Sequence, residues 1–269
     1  EQAERMAAAA RASGYSVMMT TTEYDQDREA DAVATLLRYR ADGLALTLTR
    51  PATRIIQDKL VSANVPYTLI YNEPCTAERA VVSVDNAGAA RAAAEHLIQL
   101  GHRRLGMVTG HLAASDRAER RRDGFVAAVT HAGLPTPEVR EIDFSARDVR
   151  PVMDDLLRPS DTRPPALVCS SDRLAIAVIG AANRIGLQVP RDLSVVGFDG
   201  IELGRELAPS LTTVEQPSYD IGYAAAEAVL GRHDGQDPTM PVILPFSLRI
   251  GESTGPPGKD GPFTPHSAC

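Results

Sequence analysis

Side chains with catalytic or metal-binding chemistry occur in this sequence, but their spacing matches no catalytic signature. The six histidines are scattered, and none has a second ligand at the spacing that a metal site requires. The sequence contains no G-x-x-x-x-G-K-[ST] loop, no G-x-G-x-x-G after a strand, no G-x-S-x-G elbow and no H-E-x-x-H pair. No cofactor is indicated. The residues therefore favour a binding protein over an enzyme.

One carboxylate has a placement that is typical of ligand binding. Asp199 follows the apolar run 194–198, which is predicted to be a strand, and precedes Gly200. A carboxylate at the carboxyl end of a strand can accept hydrogen bonds from two hydroxyl groups. An Asp before a Gly is equally typical of a turn. On the residues alone, both interpretations stay open.

The composition indicates a soluble globular protein without a nucleic-acid surface of its own. The chain has 269 residues, 43% hydrophobic and 23% charged, which suffices for two closely coupled lobes. A net charge of −7 argues against a surface that neutralises phosphates, so we expect this chain alone not to hold DNA. Cys75, Cys169 and Cys269 show no C-x-x-C spacing, which favours a reducing compartment. With no spanning run and no signal peptide, the prediction is a cytoplasmic protein without a membrane partner.

Short apolar runs alternate with Ala-rich helical stretches, and this alternation predicts βαβ units around parallel sheets. The first series has predicted helices at 1–13, 28–39, 53–63 and 89–100 and predicted strands at 15–20, 43–48, 67–70 and 81–84. The second has predicted strands at 105–108, 139–144, 166–169 and 194–198 and predicted helices at 117–132, 149–157 and 175–185. Farther on, 211–216 is predicted to be extended, 218–231 helical, 242–250 one long strand and 251–269 a frayed tail. The predicted fold class is α/β, with two doubly wound parallel-sheet lobes.

The chain begins with a helix, whereas an open α/β lobe normally begins with its central strand. We therefore expect the N-terminal lobe to lack its first strand.

Four segments resemble, in order, those of the lactose-repressor (LacI/GalR) family of transcription regulators. They are SVDNAGAARAAAEHLIQLGHRRLGMVTG (83–110), RDGFVAAVTHAGL (122–134), PPALVCSSDRLAIAVIGAANRIGLQVPRDLSVVGFDG (164–200) and LTTVEQPSYDIGYAAAEAVLG (211–231). A single match of this kind would be weak. Four matches in a fixed order, with compatible spacing, make the chain similar to the effector-binding domain of this family.

The resemblance implies a periplasmic-binding-protein-like fold, in which two lobes joined by three crossovers close over a small, sugar-like effector. The implied N-terminal lobe is 1–101 plus 216–239, the C-terminal lobe is 102–215 plus 240–255, and 256–269 is an irregular tail. Crossovers are expected near 101–104, 213–216 and 238–242. The resemblance also implies a homodimer, and contact with DNA only through an N-terminal headpiece that we expect to be absent here. Ligands in open α/β sheets bind at the carboxyl ends of the strands, which agrees with an interlobe cleft.

The same resemblance assigns the two principal effector contacts. Arg121 lies three residues before Gly124, where the family places an Arg that holds the effector. The competing interpretation is a solvated charge run at 119–123, and the spacing to Gly124 singles out Arg121. The resemblance favours an effector contact for Asp199. Gly200 stands where relatives frequently carry a second acidic residue, so the role of that acidic residue does not transfer to this chain.

Three further residues are assigned as secondary contacts. Ser115 and Arg117 precede Arg121 by six and four residues and look like polar contacts, although Ser115 is also a possible helix cap. Phe144 matches an aromatic residue that packs against the effector in relatives. Core packing is the competing interpretation for Phe144.

Two positions depart from the family pattern. Tyr71 and Asn72 follow a predicted strand where many relatives present an Asp, so neutral groups replace an anion and the effector's identity stays open. Ser171 and Asp172 resemble the family's Asn-Asp pair, with Ser171 in place of an Asn that often touches ligand. Asp172 is equally suited to cap the helix that follows.

Other functions share this fold. A solute-binding protein of a sugar transporter is the main alternative, but segments 96–110 and 195–216 look like regulators rather than transport receptors. An enzyme is disfavoured by the missing signatures. Gel filtration separates the first two, since regulators of this family are usually dimers and transport receptors monomers.

Overall fold

Two parallel-stranded sheets organise this chain, which confirms the predicted fold class. The computed structural model describes residues 7–8, 10–50, 54–74, 81–143, 150–158, 163–233 and 241–258. The chain divides into a first unit, residues 1–85, 113–117 and 217–245, and a second unit, residues 86–112, 118–216 and 246–269. Each unit contains its own sheet and its own apolar core.

The helices and strands follow one another in the alternating order that the sequence predicts. They are α1 (Gln26–Arg38), β1 (Leu44–Leu46), α2 (Arg54–Ala63), β2 (Tyr67–Ile70), β3 (Val81–Val84), α3 (Asn86–Gln99), β4 (Leu105–Gly110), α4 (Asp116–His131), β5 (Glu138–Ile142), α5 (Arg150–Leu156), β6 (Ala166–Cys169), α6 (Asp172–Arg184), β7 (Ser194–Asp199), β8 (Thr212–Glu215), α7 (Ser218–His233), β9 (Val242–Leu244) and β10 (Ser247–Arg249). Short 3₁₀ turns occupy Leu112–Ala114 and Glu202–Arg205.

The sheet of the first unit is parallel throughout, in the order β1-β2-β3-β9. Val33 of α1 and Leu60 of α2 are buried against one face, together with Leu69 of β2. Ile221 and Ala225 of α7 are buried against the other face. Because both faces are covered, β2 and β3 are short apolar runs rather than alternating strands.

The sheet of the second unit has the order β10-β8-β7-β6-β4-β5, and only β10 is antiparallel to its neighbour. Phe125 of α4 and Phe198 of β7 lie in one core layer with the alanines of α3. Met153 of α5 and Val178 of α6 lie in the layer on the opposite face. The carboxyl ends of the parallel strands therefore share one edge, where a ligand site is expected.

The boundary between the two compact units falls at residues 85 and 86, and the lobe boundary at 101 that the resemblance implies stays a prediction. Helix α3 packs within the second unit because its alanine face, including Ala89 and Ala93, is fully buried in the core layer with Phe125. At the closest approach, a β-carbon on Gly124 would lie 2.0 Å from the Ala87 carbonyl oxygen. The chain crosses between the units for the last time at residues 245 and 246, beyond the crossover predicted near 238–242.

Residues 15–20 form no strand, which corrects the prediction for that segment. Its apolar side chains are exposed: Val17 by 38%, Met18 by 58% and Met19 by 70%. A β-branched or apolar residue gains strand stability from cross-strand neighbours and burial, and this segment has neither within the described chain. Strand β1 accordingly forms the edge of the described sheet.

The predicted single strand at 242–250 is two strands in two different sheets, separated by Pro245, which has no N–H for a ladder. Residues 251–258, which were predicted to belong to a frayed tail, are not frayed. Ser253 is fully buried and its Oγ donates to the Val195 carbonyl at 2.6 Å. His102 Nε2 lies 2.9 Å from the Gly255 carbonyl oxygen and anchors this segment.

Candidate functional site

Arg121 is the centre of a polar cluster in the second unit. It is 7% exposed, and its Nε donates to Asn86 Oδ1 at 2.8 Å. Its Nη1 donates to the Ser170 carbonyl at 2.6 Å, just past the end of β6. The guanidinium carbon lies 3.6 Å from the centroid of the Phe198 ring, within the range of a cation–π contact. These contacts fix both the position and the plane of the guanidinium group.

Asp199 is the carboxylate that faces this guanidinium. It ends β7, and its Oδ1 lies 3.6 Å from Arg121 Nη1 and accepts from Gln216 Nε2 at 2.9 Å. Its φ of 114° is in the left-handed region, which costs a non-glycine residue about 1–3 kcal/mol. Its side chain is 28% exposed, in contrast to the buried Arg121. The Asp199 carboxylate can therefore accept further hydrogen bonds from a ligand.

Ser171, rather than Asp172, caps α6, and the helix begins three residues earlier than predicted. Ser171 Oγ accepts from the Leu174 amide at 3.3 Å. Asp172 is fully buried, accepts from the Ile201 amide at 2.8 Å and also from the Thr213 hydroxyl. It thus ties the start of α6 to the segments after β7 and within β8.

Burial raises the pKa of Asp172 to about 7, against the effect of its hydrogen bonds, and the nearby Asp199 charge raises it further. The folded state therefore holds a proton on Asp172 over a pH range in which the unfolded chain has lost it. Between about pH 4 and pH 7 the free energy of unfolding should fall as pH rises, with no further change from this group above pH 7.

We expect Asp172→Asn to lose this part of the pH dependence, because Asn accepts from Ile201 and donates to Thr213 without titrating. Urea denaturation of both proteins at pH 5 and pH 7.5 measures the difference. Between pH 5 and pH 7.5, the free energy of unfolding of the wild type should fall by more than that of the variant. Parallel pH profiles for the two proteins would contradict this assignment.

Asn72 is the centre of a second polar cluster, in the first unit. It is fully buried, and its Oδ1 accepts from the Leu48 amide at 2.8 Å. Its Nδ2 donates to the Leu48 carbonyl at 2.7 Å and to the two Asp116 oxygens at 3.1 and 3.0 Å. The Asn72 amide therefore clamps the segment after β1 to the start of α4.

The other candidates of the first unit surround this clamp. Arg117 is 7% exposed, and its Nη1 donates to the Leu48 carbonyl at 3.2 Å and lies 3.4 Å from Asp116 Oδ1. Ser115, which directly precedes Asp116 in the sequence, is also buried. Tyr71, with a φ of 65°, packs against the apolar cluster on the α7 side of the sheet. Phe144 lies outside the described residues.

The sequence interpretation missed several polar residues that support these clusters. Glu29 of α1 is 3% exposed, accepts from the Thr49 amide at 2.7 Å, and has its pKa raised by burial. Glu29 and the core residue Val33 are four positions apart and share the buried face of α1, which was the available signal. Asn86 is the first residue of α3, and its contact with Arg121 has no sequence signal.

Within the described residues, no group of three or more His, Cys, Asp or Glu side chains lies close enough together to hold a metal ion. None of the described helices combines the length and the apolar character needed to cross a membrane.

Comparison with known proteins agrees with this architecture. A family model described as a periplasmic binding protein-like domain matches residues 94–254. The HTH-type transcriptional repressor PurR of Glaesserella parasuis is 32% identical over 87% of this chain and 70% of its own length. The ribose operon repressor of Escherichia coli is 32% identical over 81% of this chain and 66% of its own length. A dimeric Lac repressor structure superposes with a TM-score of 0.84 at 26% identity, covering 95% of this chain and 93% of the other.

The fold and its matched region define a periplasmic-binding-protein-like domain. The chain belongs to the LacI/GalR family of transcription regulators, and it corresponds to the effector-binding part of its relatives.

Proposed function

We propose that this chain senses a small polar molecule for a transcription regulator and that Arg121 and Asp199 are its principal effector contacts. The observation that carries the proposal is the pairing of these two residues at the carboxyl ends of β6 and β7, with the guanidinium stacked on Phe198. Such strand ends are where open α/β sheets bind ligands. The two curated relatives are both repressors, and one is named for the ribose operon.

Tyr71, Asn72, Ser115, Arg117, Phe144 and Ser171 remain proposed secondary contacts. In the proposed mechanism the effector binds in the predicted interlobe cleft and stabilises one arrangement of the domain over another. That change would alter DNA binding by a headpiece elsewhere in the regulator, in the cytoplasm. A thermal-shift screen of sugars, polyols, sugar acids and nucleobases identifies the effector, since a ligand at 100 times its Kd adds about 2.7 kcal/mol of stability.

We expect Asp199→Asn and Arg121→Ala each to weaken effector binding by about one to two orders of magnitude, because a charged hydrogen-bond partner is lost. Arg121→Ala also leaves Asn86 Oδ1 and the Ser170 carbonyl without this donor, so a loss of stability accompanies it. Titration calorimetry with the identified effector measures the affinities, after denaturation has shown each variant to be folded.

Arg120→Ala and Arg122→Ala are the matched controls on α4. The Arg120 side chain is exposed and Arg122 pairs with Asp123, so both should bind the effector like wild type. A larger effect at Arg120 or Arg122 than at Arg121 would show that the assigned helix register is wrong.

We also propose that the chain forms a two-fold homodimer. Leu60 and Ile221 are buried in the core of the first unit and are not available for a dimer contact. Val61 is 71% exposed and remains available. Sedimentation equilibrium should give the mass of a dimer, with Val61→Glu shifting it towards the monomer. A wild-type monomer at micromolar concentrations would contradict the proposal.

A further inference from the structure

A strap that follows β10, residues 251–258, lies against the second unit at the amino ends of β7 and β8. The Val195 amide of β7 donates to the Ser253 carbonyl at 2.8 Å, and Ser253 Oγ donates back to the Val195 carbonyl. The Thr212 amide of β8 donates to Ser253 Oγ at 2.9 Å. The proposed effector contacts lie at the carboxyl ends of the strands, so the strap occupies the opposite edge of the sheet.

Two histidines of the second unit hold the strap. His102 is 2% exposed, and its Nε2 lies 2.9 Å from the Gly255 carbonyl oxygen and 3.1 Å from Ser194 Oγ. His96 of α3 is half-buried, and its Nε2 lies 3.0 Å from Thr254 Oγ1. The two rings therefore contact consecutive residues of the strap.

The hydrogen bonds of His102 require a neutral ring. The Gly255 carbonyl oxygen can only accept, so His102 Nε2 carries the ring hydrogen and Nδ1 keeps its lone pair. Nδ1 is buried and has no hydrogen-bond partner among the described residues. Protonation would place a second N–H at Nδ1, together with a positive charge, where nothing in the described chain accepts it. The docked strap therefore disfavours the imidazolium form of His102.

The surroundings of the two rings also oppose a positive charge. Burial lowers the pKa of both histidines, against the hydrogen bond to Gly255 that favours a charged His102. The rings lie close enough to interact, and the charge of His102 lowers the pKa of His96 further. Arg103 and Arg104, which follow His102 in the sequence, are exposed cations. Burial and like charge thus both disfavour protonation while the strap is docked.

The acidic residues nearby do not pair with either ring. Glu252 of the strap accepts from the Ser210 amide at 3.0 Å. Asp192, in the turn before β7, accepts from the Gln188 amide at 2.8 Å. Glu95, next to the α3 histidine, is exposed. Within the described chain, none of these three carboxylates makes a hydrogen bond to the histidine pair.

We propose that His96 and His102 form a pH-sensitive latch, which holds the strap on the second unit while both rings are neutral and releases it when they take up protons. Release exposes the rings, so their pKa returns to the ordinary value for histidine, about 6.5. Above this pH the docked form keeps its full stability, and below it the released form binds more protons. Acidification from pH 7.5 to pH 5.5 should therefore raise the opening constant of the strap by up to about tenfold for each histidine.

Amide hydrogen exchange on the full chain, corrected for intrinsic rates, measures this opening constant at Ser253 and Gly255, whose amides are hydrogen-bonded in the docked strap. We expect a rise of about tenfold to a hundredfold between pH 7.5 and pH 5.5. The amides of β6, in the centre of the same sheet, are the reference and should stay protected. A strap that opens no more readily at pH 5.5, or that opens only together with β6, overturns the inference.

Titration of Asp172 cannot mimic this result. Its raised pKa makes the chain as a whole more stable as the pH falls, which is opposite in sign to the release of the strap.

Histidine variants provide a second measurement. His96→Gln and His102→Gln keep a neutral donor near the position of Nε2 but cannot titrate, so each should lose the response of its own histidine. The double variant should open equally readily at both pH values. His111→Gln is the control, because His111 is a half-exposed histidine of the same unit that lies 3.6 Å from Glu141 and does not contact the strap. A double variant that keeps the wild-type response, or a control that loses it, overturns the inference.

Discussion

Replacing Gly124 by alanine should destabilise the second unit by about 3 kcal/mol or more. The new β-carbon would lie 2.0 Å from the Ala87 carbonyl oxygen, 2.6 Å from its carbonyl carbon and 2.7 Å from its α-carbon. These are backbone atoms of α3, which cannot move away by a change of rotamer. Because α3 is held by a fully buried alanine face, the two helices would have to separate, and the packing around Phe125 would be lost.

Gly180→Ala is the matched control, since Gly180 is also a helical glycine of the second unit. Only the flexible Arg184 guanidinium lies within 4 Å of its would-be β-carbon, at 3.8 Å. Alanine should therefore raise the stability by about 0.5–1 kcal/mol through helix propensity. Urea denaturation followed by circular dichroism measures both variants. Effects of the same sign and size would show that α3 and α4 do not approach as described.

Local sequence pattern predicted most of the helices and strands, because their signals lie within a few residues. The strand at 67–70 was predicted to the residue from its short apolar run. Segment 15–20 has an equally apolar run, yet it forms no strand, because strand formation depends on a neighbour that local sequence does not reveal. The same limit applies to α3, whose alanine face fits either unit until its packing partner is known.

The candidate site was predictable where a residue type follows a strand. Asp199 is such a case. Its two interpretations, as a turn residue and as a ligand contact, are compatible, since its φ is positive and its carboxylate is partly exposed. Asn86 and Asp116 gave no such signal, because their roles arise from contacts with residues 35 and 44 positions away. Side chains that support a site in this way are visible only in three dimensions.

Replacing Asn72 by aspartate should destabilise the first unit by about 3–5 kcal/mol at neutral pH. The amide nitrogen that donates to the Leu48 carbonyl and to both Asp116 oxygens becomes an oxygen. Two carboxylates would then lie about 3 Å apart in a buried place, and the Leu48 carbonyl would lose one of its donors while keeping the 3.2 Å hydrogen bond from Arg117.

The pH dependence separates charge repulsion from a simple loss of hydrogen bonds. Two carboxylates at this distance share a proton, so one pKa of the pair rises in the folded state of Asn72→Asp. The folded variant then binds more protons than the unfolded chain, and its deficit relative to wild type should shrink as pH falls from 7 to 5. Asn72→Ala, which loses the clamp without adding charge, should show a deficit that is independent of pH in this range.

The double variant Asn72→Asp/Asp116→Asn completes the cycle. It returns one amide and one carboxylate to the pair, so it should recover part of the stability lost in Asn72→Asp, although the Leu48 carbonyl still lacks the donor at position 72. The coupling free energy from the four proteins, measured by urea denaturation at pH 7, reports the contact between positions 72 and 116 directly. A coupling energy near zero, together with a pH-independent deficit in Asn72→Asp, would mean that Asn72 does not clamp the segment after β1 to the start of α4.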